Sequence, residues 1–336
     1  TITKIMKLSG RVASKMIFKK IQILVILIVL LIVVTNVSSR VSFTSDGEWS
    51  TLPDNSLNNK NMCERFMCTN TNKTWIPREE AFRNRMPFDS NTGCEALLKA
   101  GITKIFFHGD SFMRQIYAGM LITLNGDFRH GSLANATLAP ACEYHKQFNE
   151  KKCGTRELNH YGRVCGGKII LDPVLNGFSS TRDCQVHNGS VVLWSFGNYK
   201  LTRYGRNGVN NATMYQQFFE QNVCQEMARD ARKADGQCSV WWVSTHARMR
   251  AYFEDEKPPV VQQYNLGMRS YFDSAGRCGV VNYIDVFNLT SQLALTLTPE
   301  AEQLTYDGVH WGLEVNLLKA QIILHALTAS SSSKAS

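Results

Sequence analysis

Several motifs of common enzyme classes are missing from this sequence of 336 residues. It has no G-x-G-x-x-G or Walker A loop for nucleotides, no H-E-x-x-H for zinc and no G-x-S-x-G turn of the α/β-hydrolases. It also lacks the D-x-D pair that a metal-dependent glycosyltransferase usually carries. We therefore expect neither a bound metal ion nor a bound cofactor.

Excess charge is missing from most of the chain, although the formal net charge is +9. Residues 1–20 hold six basic side chains and no acidic one, and the remainder holds 31 basic and 28 acidic side chains. A nucleic-acid-binding domain needs its basic residues on the folded body. No nucleic-acid partner is expected.

An apolar run follows this basic tail. Residues 21–34 are all apolar except Gln22, which predicts a signal-anchor over residues 21–37 with residues 1–20 in the cytosol and a single-pass type II topology. A signal peptide cleaved near Ser38 and Ser39 is the alternative. Both place the body in the secretory pathway, either in the Golgi as a membrane protein or as a secreted one.

Cysteine usage agrees with that compartment. There are ten cysteines and no C-x-x-C pair, which indicates disulfides rather than zinc or a redox motif. Six N-x-S/T sequons suggest a glycoprotein. They are at Asn36, Asn72, Asn135, Asn188, Asn211 and Asn288.

The remaining chain divides into a stem and one large domain. Residues 38–62 are polar and predict a flexible stem, and residues 63–330 predict the luminal domain. There, buried strands without polar alternation are separated by helical segments, which predicts an α/β fold with a parallel sheet covered on both faces. Predicted strands cover 104–108, 168–171, 191–196, 240–244 and 280–287, and predicted helices cover 112–124, 214–234 and 312–327. Residues 127–187 predict a disulfide-rich insertion.

Ser111 lies where a buried strand meets a helix, in the segment KIFFHGDSFMRQI. Open α/β sheets bind ligands beyond the carboxyl ends of their strands, so a substrate could reach this serine. The helix N-terminus offers N–H groups for a developing negative charge. The alternative is that Ser111 only caps the helix.

Asp307 and His310 lie three residues apart before the last helix. That spacing allows the carboxylate to bind the imidazole Nδ1–H and to orient the other ring nitrogen outward as a base. With Ser111 they form a candidate Ser-His-Asp triad.

The G-D-S at Ser111 and the D-G-V-H ending at His310 resemble the first and last motifs of the SGNH (GDSL-like) hydrolase superfamily. The layout is similar to the PC-esterase group, which includes the plant trichome-birefringence-like polysaccharide O-acetyltransferases. The resemblance implies a three-layer flavodoxin-like fold, preceded by the single transmembrane helix. It also implies Ser111 as nucleophile, His310 as general base and acid, and Asp307 as the residue that orients His310.

The same superfamily places an Asn and a Gly in its oxyanion hole. Asn198, in VVLWSFGNYK, fits the Asn position, and Gly177 has only the right place along the chain. His246 and Arg248, after another strand, are candidates for gripping a sugar or acyl carrier.

The expected function is acyl-ester chemistry on a luminal or extracellular glycan, with O-acetyl transfer from an unidentified acyl donor favoured. A carbohydrate acetylesterase of the same fold and an inactive glycan-binding protein are the alternatives.

Overall fold

A computed structural model of the chain covers both motifs. It describes residues 42–43, 47–51, 73–78, 88–133, 142–149, 153, 162–175, 189–195, 217, 238–251, 256–274, 281–296, 302, 304–305 and 307–332. The chain divides into two units, Thr1–Arg40 and Val41–Ser336, and every described residue belongs to the second. The predicted cytosolic tail and signal-anchor lie outside the described residues. Within the described part, no helix has the length and apolar character needed to cross a bilayer.

Nine strands form the β structure of the described part. They are β1 Ser42–Phe43, β2 Gly47–Thr51, β3 Lys73–Pro77, β4 Lys104–Gly109, β5 Gly162–Val164, β6 Ile169–Leu175, β7 Ser190–Ser195, β8 Cys238–Val243 and β9 Val281–Ile284. Strands β2 and β3 pair antiparallel by themselves. The other seven form one sheet in the order β1-β9-β8-β7-β4-β6-β5.

The five longer parallel strands of this sheet have flavodoxin-like connectivity. Numbered along the chain from β4, the strands β6-β4-β7-β8-β9 follow the order 2-1-3-4-5, in which ligands bind where the order reverses. The α/β prediction is confirmed. The sheet is mixed rather than wholly parallel, because a tight turn at residues 165–168 returns β5 antiparallel to β6.

Helices cover both faces of the sheet. They are α1 Ser90–Lys99, α2 Ser111–Asn125, α3 Pro258–Ser274, α4 Phe287–Thr296 and α5 Leu313–Ser332, with a short 3₁₀ helix Tyr144–Phe148. Tyr117 of α2 packs edge-on against Phe107 of β4, with ring centroids 5.4 Å apart. On the other face Phe272 of α3 packs against Trp242 of β8, also at 5.4 Å. Successive strand residues face opposite layers, so these contacts mark the two sides.

The predicted strand over 280–287 is wrong in its second half. Strand β9 ends at Ile284, and α4 begins at Phe287. Asp285 accepts a hydrogen bond from the Phe287 N–H at 2.8 Å, and the Ser244 hydroxyl accepts from the same N–H at 3.0 Å. These side-chain acceptors satisfy helix-start donors in a segment whose apolar residues favour a strand. Of the predicted helix over 214–234, only Gln217 is described, and it is helical.

Two predicted boundaries also change. Residues 42–43 and 47–51, assigned to the stem, form strands, and residues 42–43 pair with β9, so the folded body begins before residue 63. Within the predicted insertion, residues 169–175 form an interior strand of the sheet. Whether a short segment such as residues 42–43 forms an edge strand depends on the strand beside it as much as on its own residues.

The disulfide prediction is confirmed for four cysteines. Cys142 bonds Cys153 within the predicted insertion, and Cys94 of α1 bonds Cys165 in the β5–β6 turn. No cysteine is free among the residues whose side chains the structure describes.

Candidate active site

Strand β4 delivers Ser111 to the carboxyl edge of the sheet. The strand is buried along its whole length and ends at Gly109. Added to Gly109, a Cβ would lie 2.3 Å from the Ser195 carbonyl oxygen, so only glycine fits against the end of β7. Helix α2 then starts at Ser111, in the switch-point position between β4 and β7.

Asp110, rather than Ser111, caps helix α2. The Asp110 carboxylate accepts a hydrogen bond from the Phe112 N–H at 3.0 Å. Ser111 is the first helical residue, and its hydroxyl lies 2.9 Å from His310 Nε2. The alternative that Ser111 is only a helix cap is therefore wrong.

A short loop between β-bridge partners holds Asp307 and His310. Thr305 and Trp311 form the bridge, and Gly308 between them has a φ of +81°, a conformation that glycine adopts without strain. The Trp311 indole N–H donates to the Ala247 carbonyl at 2.7 Å. The loop is thereby fixed to the segment that follows β8.

Hydrogen bonds to Asp307 orient His310. One carboxylate oxygen lies 2.7 Å from His310 Nδ1, and the other accepts from the backbone N–H groups of Val309 and His310 at 2.9 and 2.7 Å. Partial burial raises the pKa of Asp307, but these hydrogen bonds outweigh it and lower the pKa to about 2. An ionised carboxylate on Nδ1–H leaves Nε2 free to accept the Ser111 proton.

Two predicted oxyanion residues, Gly177 and Asn198, lie outside the described residues. In sequence they follow β6 and β7, the two strands that flank β4. Their role stays a prediction.

His246 and Arg248, predicted to grip a sugar or acyl carrier, lie inside the protein. His246 has 2% of its surface exposed and lies 2.8 Å from the Lys319 ammonium nitrogen. Burial, together with nearby Lys319, His310 and Arg248, lowers the pKa of His246 well below its ordinary value. Arg248 forms an ion pair with the buried Glu256. Both side chains lie near the Phe112 ring and offer no open surface to a glycan.

Other supporting residues carried little signal in the sequence. Phe112 falls in the apolar stripe of α2, yet its ring centroid lies 3.6 Å from that of His246 and 5.3 Å from that of His310. Asn316 donates to the Trp311 and Gly312 carbonyls at 2.6 and 2.8 Å, and Lys319 donates to Asn316. Lys319 was the one signal in the sequence, because it lies within the apolar run of α5. Lysine is rarely buried without a polar partner, so a lysine at a buried position indicates that polar groups lie nearby.

No group of three or more His, Cys, Asp or Glu side chains suited to a metal ion occurs among the described residues. With its own side chains, the site can transfer a proton from the Ser111 hydroxyl to the His310 imidazole, which Asp307 orients.

Comparisons with known proteins found few similarities. No family model and no curated protein sequence matches the chain. Among solved structures, an acetylxylan esterase, Axe2 from Geobacillus stearothermophilus, has a TM-score of 0.37 and 12% identity over 67% of this chain and 94% of its own. A variant of that protein has a TM-score of 0.36 and 13% identity over the same shares. An overlap of this size assigns no activity, so the chemistry has to be judged from the side chains.

Proposed function

We propose that this chain is a serine-dependent acyl-ester enzyme that acts on a glycan. The observation that carries the proposal is the continuous hydrogen-bond chain from the Ser111 hydroxyl to His310 and on to Asp307, at 2.9 and 2.7 Å. A nucleophile, a base and an orienting carboxylate within hydrogen-bond reach are the requirements for nucleophilic acyl transfer.

In the first half-reaction the Ser111 oxygen attacks the acyl carbonyl while its proton passes to His310 Nε2. The tetrahedral intermediate carries its negative charge at the N-terminus of α2, where backbone N–H groups and the helix dipole favour it. When the intermediate collapses, His310 returns the proton to the departing alcohol oxygen, and the acyl group remains as an ester of Ser111. In the second half-reaction His310 removes a proton from the acceptor hydroxyl, the acceptor takes the acyl group, and Ser111 is regenerated.

The acceptor in the second half-reaction distinguishes two enzymes. Water would make the protein a carbohydrate acetylesterase, and a sugar hydroxyl would make it an O-acetyltransferase that uses an acyl donor as co-substrate. We favour transfer in the secretory pathway, because the motifs resemble those of polysaccharide O-acetyltransferases and the predicted anchor would hold the domain beside glycans as they are made.

Mass spectrometry of a polysaccharide panel, incubated with the purified protein with and without acetyl donors, tests both forms. Donor-dependent acetyl gain that requires Ser111 would establish transfer, and donor-independent acetyl loss would establish hydrolysis. Replacement of Ser111 by Ala, His310 by Ala or Asp307 by Asn should each lower turnover on the order of a thousandfold, because the three groups act as a unit. Folded variants that keep full turnover would show that the activity does not depend on these three residues, and a wild-type protein without turnover on any substrate would favour the glycan-binding alternative.

A further inference from the structure

Arg248 is a buried cation close to Phe112, the residue that follows Ser111. It follows β8 at the sheet edge that also carries Ser111, and 9% of its side chain is exposed. Its guanidinium carbon lies 5.5 Å from the centroid of the Phe112 ring, and that ring lies 5.3 Å from the ring of His310. The Phe112 ring therefore has both the buried guanidinium and the His310 imidazole as neighbours.

Three carboxylates act on this cation. Glu256 pairs with Nη1, and Asp110 and Asp307 lie near enough for their charges to raise the pKa of Arg248, although burial lowers it overall. Asp110 and Asp307 flank the reacting groups: one caps the helix that Ser111 begins, and the other orients His310.

These two carboxylates create an electrostatic problem for the reaction. The tetrahedral intermediate gains a full negative charge next to them, and like charges repel more strongly in a partly buried site than in water. His310 becomes an imidazolium when it takes the Ser111 proton and offsets part of this field, and a second nearby positive charge would favour the oxyanion further.

We propose that Arg248 is a positioning residue whose positive charge offsets the field of Asp110 and Asp307 at the reacting carbonyl, with Glu256 fixing its guanidinium. The inference rests on the proposed function of Ser111. It gives the buried ion pair a role in the chemical step, whereas a purely structural pair would matter only for folding.

The test compares a neutral pair with the native one. The double variant Arg248→Met with Glu256→Gln leaves no unpaired buried charge, so it should fold. We expect its kcat for p-nitrophenyl acetate to fall about threefold to tenfold with little change in KM, because at an effective dielectric constant of about 20 the loss of the Glu256 charge cancels part of the effect of losing the Arg248 charge. The matched control is the exposed pair Arg129 and Glu143 beyond the far end of α2, changed to Met and Gln, which should leave kcat unchanged.

The single variant Glu256→Gln should change kcat in the opposite direction, and this test does not require the double variant to fold. Glu256→Gln keeps a hydrogen-bond acceptor for Arg248 but removes one negative charge, so kcat should equal or exceed that of the wild type. Arg248→Lys, which keeps the charge, should retain more of kcat than the double variant.

Full kcat in the folded double variant would overturn the proposal, as would a loss of kcat in Glu256→Gln as large as in the double variant. A rise in KM alone would also overturn it, because that would mean direct contact with substrate. Failure of the proposed function is detected separately: a folded wild-type protein that gains no fluorophosphonate adduct on Ser111 would reject it whatever the Arg248 variants do.

Discussion

At the residue scale, the site depends on which nitrogen of His310 faces Ser111. Asp307 binds Nδ1 with one carboxylate oxygen and two backbone N–H groups with the other, so the carboxylate cannot turn away without losing three hydrogen bonds. The low pKa of Asp307, about 2, keeps this carboxylate ionised at neutral and mildly acidic pH. The imidazole is therefore held as a base towards Ser111.

His108 gives the first prediction. It lies in β4 with its ring stacked 4.3 Å from Trp194, and burial lowers its pKa from 6.5 to about 4. Between these values the unfolded chain binds more protons at His108 than the folded one. The free energy of unfolding should therefore fall, by on the order of 3 kcal/mol from this group, as the pH drops from 6.5 to 4.

Urea denaturation at several pH values measures this effect. His108→Phe keeps an aromatic ring against Trp194 and removes the titration, so its stability should depend less on pH in that window. Some dependence should remain, because burial also lowers the pKa of His246. An unchanged pH slope in the variant would contradict the assignment.

The residues of the triad could be predicted from sequence, and their support could not. Ser111, Asp307 and His310 lie in short motifs whose spacing already implies their chemistry. Arg248 was also found, but as an exposed ligand of the substrate, because a sequence does not show that a strand end turns inward and meets Glu256. Phe112 looked like ordinary core, since apolar periodicity is the same whether a ring contacts leucines or a catalytic imidazole.

At the element scale, the site depends on how α2 and α5 cross. Helix α2 begins at Ser111, and α5 begins three residues after His310, so their separation sets the distance between the two side chains. A Cβ added to Gly119 would lie 2.5 Å from the Asn316 carbonyl oxygen, which shows that the two backbones touch at that point. Asn316 is also the residue that holds the Trp311 and Gly312 carbonyls.

Gly119→Ala should push the two helices apart. We expect it to destabilise the protein by about 1–3 kcal/mol, because a methyl group meets backbone that cannot move aside. Gly93→Ala in α1 is the matched control, since its Cβ would come closest to the tip of the Leu124 side chain, at 3.0 Å, and would meet no backbone within 3.7 Å outside its own helix and its chain neighbours. That variant should stay within about 1 kcal/mol of the wild type, because alanine favours a helix over glycine. Thermal denaturation measures both, and equal losses would argue against a close crossing.

Element prediction worked where burial and periodicity agreed. The predicted helix over 112–124 corresponds to Ser111–Asn125, and the predicted strand over 104–108 to Lys104–Gly109. It failed at residues 285–287, where side-chain caps from Asp285 and Ser244 end a strand-like apolar run. The Ser244 hydroxyl that accepts from the Phe287 N–H follows strand β8, so the residues around 285–287 do not indicate it.

At the scale of the whole molecule, disulfides connect distant parts of the chain. The bond between Cys94 and Cys165 spans 71 residues and joins α1 to the β5–β6 turn, whereas that between Cys142 and Cys153 spans 11. Since the entropy removed from the unfolded chain grows with the enclosed loop, replacing the first pair by alanine should cost about 4 kcal/mol and the second about 3 kcal/mol. Chemical denaturation of the two double variants measures both losses of stability. An equal or larger loss for the Cys142–Cys153 pair would contradict this model.

The sequon at Asn288 lies in helix α4, with the Thr290 side chain fully buried, rather than in an exposed loop. The asparagines of the other five sequons lie outside the described residues. We expect the full chain to stay in membranes after alkaline carbonate washing and to shift in mobility on glycosidase digestion through some of those five. Release with a new N-terminus near Ser38 would support the cleaved signal peptide, and a complete lack of glycan would argue against a luminal body.

The order of the sheet was the least accessible feature to sequence reasoning. Motif resemblance implied a flavodoxin-like arrangement, and the strand order bears this out for five strands. The edge strands β1 and β5 were not predicted, because pairing at an edge depends on the partner strand that the fold brings near.

Labelling by a fluorophosphonate probe, read as intact mass and peptide map, tests whether Ser111 is a nucleophile activated by His310. The account predicts one adduct, on Ser111, in the wild-type protein and little or none in the His310→Ala variant, because the hydroxyl needs the imidazole to accept its proton. The result needs no knowledge of the natural substrate. A folded wild-type protein that gains no adduct, or one that is labelled equally well without His310, would contradict the account.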